Sequence, residues 1–230
     1  MIDVIRERAR SEITAGIKAA ARRQLVITGA QQLSLRAVAR ELDMVSSAVY
    51  RYFPSRDDLL TALTADAHDA LGHTAEQALE GASQAGPVDR WTAVCLAARA
   101  WAREHPHEYT LIYGSPVPGR SAPRDTVAPA LRLGRTLSRI AADALAAGRL
   151  TAPPTGPPPA AVLEDAERLG AELFSGLPAP NAVCLVAAWA QLFGLIGFEV
   201  FGAYGTPLRA QEEFFAYTCA GLARQVGIGA

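Results

Sequence analysis

Apolar residues recur every three to four positions along most of this chain, a spacing that predicts amphipathic helices, whereas the two-residue alternation of strands is almost absent. The first helix is predicted from about Asp3 to Thr28, and Gly29 ends it. Its inner stripe is formed by Ile13, Ile17, Ala20, Ala21 and Leu25. Later helices are predicted over residues 56–80, 87–105, 106–113, 125–150, 160–174, 181–204 and 208–226. We therefore expect an all-α protein.

Residues 30–60 form a compact run that predicts two short helices joined by a turn, followed by a longer helix. Ser34 is a good N-cap residue for the first short helix, because its hydroxyl accepts a hydrogen bond from a backbone N–H of the first turn. Ser55 and Asp58 form a capping-box pattern at the start of the longer helix. These signals predict a helix-turn-helix.

The second short helix, predicted over Ser46 to Phe53, has an apolar side formed by Val49 and Phe53. Its other side carries Ser46, Ser47, Tyr50 and Arg51. A helix that enters the major groove of DNA needs short side chains near its leading end and longer donors farther along. Residues 46–48 meet the first condition, and Tyr50 and Arg51 meet the second. The alternative is a plain helical hairpin with a polar exposed face.

The segment VYRYFPSRDDLL, together with the residues before it, resembles the N-terminal DNA-binding domain of the tetracycline-repressor (TetR) family. The resemblance implies a three-helix DNA-binding domain at 1–54 and a helical ligand-binding and dimerisation domain at 55–230, linked by a fourth helix at 55–80. It also implies double-stranded DNA as a partner. The predicted DNA contacts are Ser34, Arg36, Val45, Ser46, Ser47, Tyr50, Arg51, Tyr52 and Arg56.

Two positions depart from the family pattern. Asp43 replaces the glycine of the turn, and aspartate adopts a left-handed conformation at modest cost. Val45 stands where a serine often opens the recognition helix, so Ser46 is expected to cap that helix instead.

A second stretch, RAWAREHPHEYTLIYGSPVPG, resembles the regulatory domain of a TetR subfamily named for a Trp-His-Gly signature. Trp101, His105 and Gly114 stand at the signature positions. Residues 114–119 contain two prolines and two glycines and are predicted to form a loop.

The charge distribution agrees with a DNA-binding head on a body that does not bind DNA. The net charge is −1, but residues 1–60 carry a net +3. The three cysteines, Cys95, Cys184 and Cys219, lie far apart in apolar helical patterns and are expected to be small buried hydrophobes rather than disulfides or metal ligands. We expect no metal, no cofactor, no signal peptide and a cytoplasmic location.

The most apolar stretch, residues 182–200, has the length of a membrane span. Because it contains Gln191 and Glu199, we expect a buried or dimerising helix instead. Small residues near one face of it let another helix approach closely. Packing within one subunit explains the same pattern equally well, but the resemblance implies a homodimer that reads a palindromic operator. The predicted interface residues are Ala190, Gly194, Gly197, Phe201 and Phe214, with Phe215 and Tyr217 adding bulk.

The body is also expected to hold a small-molecule site, because the resemblance implies an effector that changes the separation of two heads through helix 56–80. The predicted site residues are Trp91, Cys95, Trp101, Tyr109, Tyr113 and Phe174. A filled apolar core is the alternative. No basic cluster is expected among these residues, so the predicted effector is small and hydrophobic.

An enzyme is the competing hypothesis, and its best candidate residues are His105, His107 and Glu108. The two histidines flank a proline at a helix boundary, and no further ligand with metal spacing accompanies them. No nucleophile elbow or phosphate-binding glycine loop is present in the sequence. We therefore predict a ligand-responsive transcription regulator acting as a repressor.

Overall fold

A computed structural model describes residues 2–114, 124–174, 176–204 and 209–229. Within these ranges the regular structure is helical, with a single isolated antiparallel bridge between Leu150 and Ile228. The helices are α1 (Ile2–Thr28), α2 (Leu35–Glu41), α3 (Ser46–Tyr50), α4 (Arg56–Gly81), α5 (Pro87–Glu104), α6 (Pro106–Tyr113), α7 (Arg124–Ala130), α8 (Arg132–Ala146), α9 (Ala160–Leu173), α10 (Ala179–Val200) and α11 (Gln211–Val226). The all-α prediction is confirmed. Residues 115–119 of the predicted loop lie outside the described residues.

The helix predicted over residues 125–150 is wrong as a single element. The structure has α7 and α8 there, separated at Leu131. Pro129 lies inside α7, where it removes one backbone donor and crowds the preceding turn, so the helix ends at Ala130. Helix α8 then ends at Ala146, and Gly148 follows with a positive φ of 68°.

The chain divides into two compact units. The N-terminal unit comprises residues 1–67 and 107–126, and the C-terminal unit comprises residues 68–106 and 127–230. The division therefore falls inside α4, and α6 belongs to the N-terminal unit.

The core of the N-terminal unit is built from α1, α2, α3 and the first half of α4. Ala20 and Ala21 are fully buried, and their small size allows α1 to lie close against its neighbours. Ile13, predicted for the inner stripe of α1, is 37% exposed, so that part of the prediction is wrong. The buried stripe begins one turn later, at Ile17.

In the C-terminal unit, α5 packs against α8, α10 and α11. Arg99 of α5 forms a bidentate ion pair with Glu199 of α10, at 2.6 and 2.9 Å, and its guanidinium lies 5.1 Å from the ring centre of Phe215. All three cysteines are free and buried. Cys95 and Cys219, far apart in the sequence, are neighbours in this unit, and burial raises the pKa of the Cys95 thiol.

The C-terminal unit is closed by contacts at the end of α11. Thr151 donates its backbone N–H to the Gly227 carbonyl at 2.8 Å, and Gly229 donates to the Arg149 carbonyl at 2.9 Å. The buried amide of Asn181 donates to the carbonyls of Thr151 and Val226 at 2.9 and 2.8 Å. One α10 side chain therefore satisfies two backbone acceptors that are far apart in sequence.

Candidate nucleic-acid interface

Helix α2 begins as the sequence predicts. Ser34 is its N-cap, with extended backbone angles, and its Oγ accepts a hydrogen bond from the Ala37 N–H at 3.4 Å. The side chain of Gln24 on α1 accepts from the Ser34 N–H at 3.3 Å. Val38 and Ala39 are buried, so the helix is fixed to the core by its apolar side, and Arg36 is exposed on the other side.

The turn between α2 and α3 depends on Asp43. Its φ is +52°, which makes it the only non-glycine residue with positive φ in the part of the chain that the structure describes. The backbone N–H of Met44 then reaches the Ala39 carbonyl at 2.9 Å. The predicted left-handed conformation of Asp43 is therefore confirmed.

Helix α3 starts at Ser46, and its N-cap is Val45, which makes no side-chain capping bond. The prediction that Ser46 caps this helix is wrong, because Ser46 is already the first helical residue. Val45 is 71% exposed, so an apolar side chain projects into solvent at the leading end of α3. The helix ends at Tyr50 rather than Phe53, but Val49 and Phe53 are buried as predicted.

The outward side of α3 carries exposed Ser47, Tyr50 and Arg51 next to the exposed Val45. Ser46 is half-buried beside them. This surface offers two kinds of hydroxyl donor on a five-residue helix and one guanidinium on the residue that follows it, and the buried Val49 holds the helix in place. A helix with this arrangement is suited to hydrogen bonds with base edges and phosphates.

Tyr52 and Arg56 have structural contacts that the sequence did not reveal. Tyr52 is half-buried against the core of the N-terminal unit, with the Arg10 guanidinium 5.7 Å from its ring centre. Arg56 donates to the carbonyls of Ala30 and Gln31 at 2.6 and 3.1 Å. Its partners are about 25 residues earlier in the chain, so no local pattern signals them.

A charged network holds α1 against α4 and α6 within the N-terminal unit. Asp66 accepts from Lys18 at 2.8 Å and from Arg22 at 2.7 Å, and Arg22 also donates to Glu108 at 2.9 Å. These side chains are partly buried, so the network is shielded from solvent more than ordinary surface pairs. It fixes α1, against which α2 packs, and α3 packs in turn against α2.

The residues predicted to bind an effector are mostly core residues. Trp91, Cys95, Trp101 and Phe174 are buried in the C-terminal unit. Tyr109 and Tyr113 belong to the N-terminal unit, with ring centres 5.1 Å apart, and burial raises the pKa of both phenols. None of the six lines either of the two clefts described in the structure. Their role in ligand binding remains a prediction.

Most of the residues predicted for the dimer interface are exposed. Ala190, Gly194, Phe201 and Phe214 are exposed, and Gly197 is half-buried. Phe215 is buried beneath Arg99, so its predicted place in the seam is wrong. Tyr217 and Phe198 are exposed on the same two helices, at 78% and 53%.

Helix α10 is long and apolar enough to cross a membrane by length and composition alone, with a mean hydropathy of 1.8. A single such helix is weak evidence, because core helices of globular proteins have the same composition. Its Glu199 is bound by Arg99, which gives the charge a partner inside the unit. Among the described residues, no group of three histidines, cysteines or carboxylates is arranged to hold a metal ion.

Comparison with known proteins identifies similar sequences and folds. A family model for "Bacterial regulatory proteins, tetR family" matches residues 17–63, and one for "Tetracyclin repressor-like, C-terminal domain" matches residues 91–222. The chain is 42% identical over 209 residues to the HTH-type transcriptional regulator Rv1816 of Mycobacterium tuberculosis, covering 88% of this chain and 87% of that protein. The regulator Mb1846 of Mycobacterium bovis matches to the same extent. The narrower Trp-His-Gly resemblance is not confirmed.

Solved structures show the same fold. The regulatory protein candidate SCO4313 has a TM-score of 0.73 and 28% identity, covering 94% of this chain and 97% of that one. The structure of RolR in complex with resorcinol has a TM-score of 0.57 at 17% identity, covering 96% and 91% of the two chains, and supports the fold alone.

Proposed function

Because this chain belongs to the TetR family of bacterial transcription regulators, we propose that it is a cytoplasmic repressor that binds a palindromic operator as a homodimer and leaves it when a small hydrophobic ligand binds. That it is a DNA-binding helix-turn-helix regulator follows from its family. The observation that carries the finer proposal is the surface of α3, where Ser47, Tyr50 and Arg51 are exposed on a firmly packed helix.

In the proposed complex α3 lies in the major groove. Arg51 donates to a guanine edge, and Tyr50 and Ser47 contact the backbone or a neighbouring base. Val45 contributes an apolar contact, such as one with a thymine methyl group. Ser34 and Arg36 at the start of α2 contact phosphates. Arg56 also contacts a phosphate while it keeps its hydrogen bonds to the carbonyls of Ala30 and Gln31.

The proposed dimer forms through α10 and α11. Phe198, Phe201, Phe214 and Tyr217 are large, exposed and distributed over these two helices, and such a concentration is unusual on a monomer surface. A Cβ atom built at Gly194 would meet nothing within 4 Å, so this position is free for a partner helix. Two-fold pairing of the same surface presents two copies of α3 to a palindromic site.

The proposed effector site lies in the C-terminal unit, among the four predicted residues that belong to it: Trp91, Cys95, Trp101 and Phe174. Support comes from two buried polar atoms in the C-terminal unit, the Trp91 Nε1 and the Ser138 Oγ, neither of which has a hydrogen-bond partner among the described residues. Such atoms favour a ligand that brings a hydrogen-bond acceptor into an apolar environment. RolR, which has the same fold, binds the small aromatic molecule resorcinol.

The DNA proposal is tested with the full-length protein. Selection from random duplexes, followed by fluorescence anisotropy on the selected site, should yield a palindrome bound at sub-micromolar concentration. Arg51→Ala should weaken binding by about 1–3 kcal/mol and relax one base position in each half-site. Arg149→Ala, at an exposed arginine of the C-terminal unit, is the control. Absence of any selected sequence, or unchanged affinity for Arg51→Ala, would contradict the assignment of α3.

The dimer proposal is tested by sedimentation at micromolar concentration. The wild-type protein should sediment as a dimer, and Gly194→Leu should yield folded monomers with weak operator binding. Ala161→Leu, at an exposed position of α9, is the control for adding an apolar side chain elsewhere. A monomeric wild-type protein would reject the proposed assembly.

The effector proposal is tested by adding neutral phenols and other small apolar compounds to the protein–operator complex. At least one should release the DNA, and the coupling energy should be about 1–3 kcal/mol. Release by anionic metabolites alone would contradict the hydrophobic effector and leave the DNA assignment standing.

A further inference from the structure

A separate charged cleft of about 650 Å³ lies within the C-terminal unit, between the second half of α4, the end of α7 and the first half of α8. Helix α4 contributes acidic side chains to it, and α8 contributes arginines. Its volume lies in the range of small-molecule sites in proteins. It contains none of the residues proposed for the hydrophobic effector.

One end of the cleft is occupied by an ion pair. Arg132 donates to both carboxylate oxygens of Glu76, at 2.7 Å each, and to Asp69 at 3.2 Å. The stem of Arg132 crosses α4 at Gly72, where a Cβ atom would lie only 2.5–2.7 Å from it. The guanidinium also holds the pKa of Glu76 below its ordinary value. Arg132 is therefore neutralised and fixed, and it is not available to a ligand.

The other part of the cleft contains arginines that remain free. Arg135 and Arg139 lie four residues apart on α8, so both point from the same side of the helix, and neither has a partner among the described residues. The remaining charge there is the unpaired Glu80. At this end two guanidinium groups face one carboxylate, a local excess of one positive charge, whereas Arg132 with Glu76 and Asp69 carries one net negative charge at the other end. Leu79, Ala128 and Pro129 provide an apolar wall.

We propose that this cleft binds a monoanionic amphiphile, with a carboxylate held by Arg135 and Arg139 and an apolar body lying on Leu79, Ala128 and Pro129. Arginine pairs carboxylates in a bidentate geometry, and two guanidinium groups at one helical turn provide more donors than one carboxylate needs. Glu80 disfavours a dianion such as a phosphate monoester, because it repels the second charge. The two free arginines disfavour a cation.

The proposal is tested by isothermal titration calorimetry on the full-length protein without DNA, using octanoate as the probe. Octan-1-ol and octylammonium have the same apolar chain and serve as charge controls. Octanoate should bind saturably with one site per chain, at least tenfold more tightly than either control. The affinity should fall as ionic strength rises, because the decisive groups are near solvent.

Charge variants locate the site. Arg135→Gln and Arg139→Gln should each weaken octanoate binding about tenfold, since each removes a charge-assisted hydrogen bond. Glu80→Gln should strengthen it about threefold, because the competing carboxylate disappears. Arg149→Gln is the matched control and should leave the affinity unchanged. All these positions are exposed, so the variants should keep the wild-type melting temperature.

Three results would overturn the proposal: no saturable binding of octanoate, equal binding of octan-1-ol, or octanoate binding that is insensitive to Arg135 and Arg139. Equal binding of the alcohol would indicate an apolar site only. Because these titrations contain no DNA, they are independent of the operator and effector experiments above, and either proposal can fail without the other.

Discussion

Two regions differ in how far apart in the sequence their interacting residues lie. One is the recognition surface, the exposed side of α3 with Ser47, Tyr50 and Arg51, and the other is the set of long-range contacts that close the C-terminal unit. The residues that shape α2 and α3 act on neighbours, since Ser34 caps a backbone N–H three residues away and Ser55 bonds Asp58 at the same spacing. In the C-terminal unit, Arg99 and Glu199 are 100 residues apart, and Thr151 and Gly227 are 76 apart. Contacts over three residues have a recognisable spacing in the sequence, whereas contacts over 76 or 100 residues have none.

The contacts that hold the helix-turn-helix in the N-terminal unit also join residues that are far apart in the sequence. Arg22 and Glu108 are 86 residues apart, and Arg56 reaches carbonyls about 25 residues earlier. The local conformation of a DNA-reading helix is therefore encoded near that helix, whereas its attachment to the protein is encoded by distant partners. Substitutions at the two kinds of position should separate these effects.

The largest effect is expected at the closing contacts of the C-terminal unit. Gly227 has φ of +96°, and a Cβ there would lie 2.2 Å from the Thr151 carbonyl oxygen and 2.8 Å from the Asn181 amide nitrogen. Gly227→Ala combines left-handed strain with a backbone clash and should lower the free energy of unfolding by about 3–4 kcal/mol. Urea denaturation followed by circular dichroism measures this loss.

Gly148→Ala is the control for that substitution, because Gly148 also has a positive φ but a Cβ atom there would meet nothing within 4 Å. It should cost about 1 kcal/mol, the strain alone. Equal losses at the two glycines would mean that the contacts of Gly227 with Thr151 and Asn181 do not hold the unit together.

Sequence patterns predicted most of the helices and the helix-turn-helix, because periodicity, caps and the turn act over a few residues, but they missed the break between α7 and α8. The Ser34 cap, the left-handed Asp43 and the buried Val49 were all predicted and observed. Sequence patterns did not predict which of two neighbouring apolar side chains is buried in the unit and which is exposed. Phe215 and Phe214 are adjacent and equally apolar, but only the structure shows that Phe215 lies under Arg99 and Phe214 is exposed.

The ion pairs and the charged cleft were also beyond sequence reasoning. The ion pair of Arg132 with Glu76 and Asp69 joins α8 to α4, and the stem of Arg132 fits against α4 because residue 72 is a glycine. No local sequence pattern predicts that contact. Likewise, aromatic spacing alone does not distinguish a pocket from a core. Trp91 is fully buried in a unit whose described clefts lie elsewhere.

The next largest effect concerns pH and the first residue of the C-terminal unit. His68 is buried, and loss of solvation lowers its pKa to about 4, with a smaller opposing contribution from Asp69. The unfolded chain takes up a proton near pH 6.5, whereas the folded chain does not until about pH 4. Stability should therefore fall as the pH drops from 7 to 5, by up to about 2 kcal/mol.

Urea titrations at pH 7 and pH 5 measure this difference, and His68→Gln supplies the control. The variant has no imidazole to protonate, so its stability should change less between the two pH values. A variant with the same pH dependence as the wild type would show that other groups cause the loss of stability in acid.

A smaller effect separates support from recognition in the N-terminal unit. Arg56→Ala removes two hydrogen bonds to the Ala30 and Gln31 carbonyls and should destabilise the protein by about 1–2 kcal/mol in the absence of DNA. Arg51→Ala should leave the stability within about 0.5 kcal/mol of the wild type, because Arg51 is exposed and projects from α3. Thermal melting of both variants checks the contrast. If Arg51→Ala proved the more destabilising, the assignment of Arg56 as the supporting residue would be wrong.

The smallest effect distinguishes two serines of the helix-turn-helix. Ser34 accepts a hydrogen bond from the Ala37 N–H, so Ser34→Ala should cost about 1 kcal/mol in the free energy of unfolding. Ser46 is the first residue of α3 and caps nothing, so Ser46→Ala should cost almost nothing. Alanine is the better helix former, which keeps any cost at Ser46 small, and denaturation without DNA excludes any contribution from operator contacts. Similar losses in the two variants would show that Ser46 supports α3 in solution, and the boundary of that helix would have to be revised.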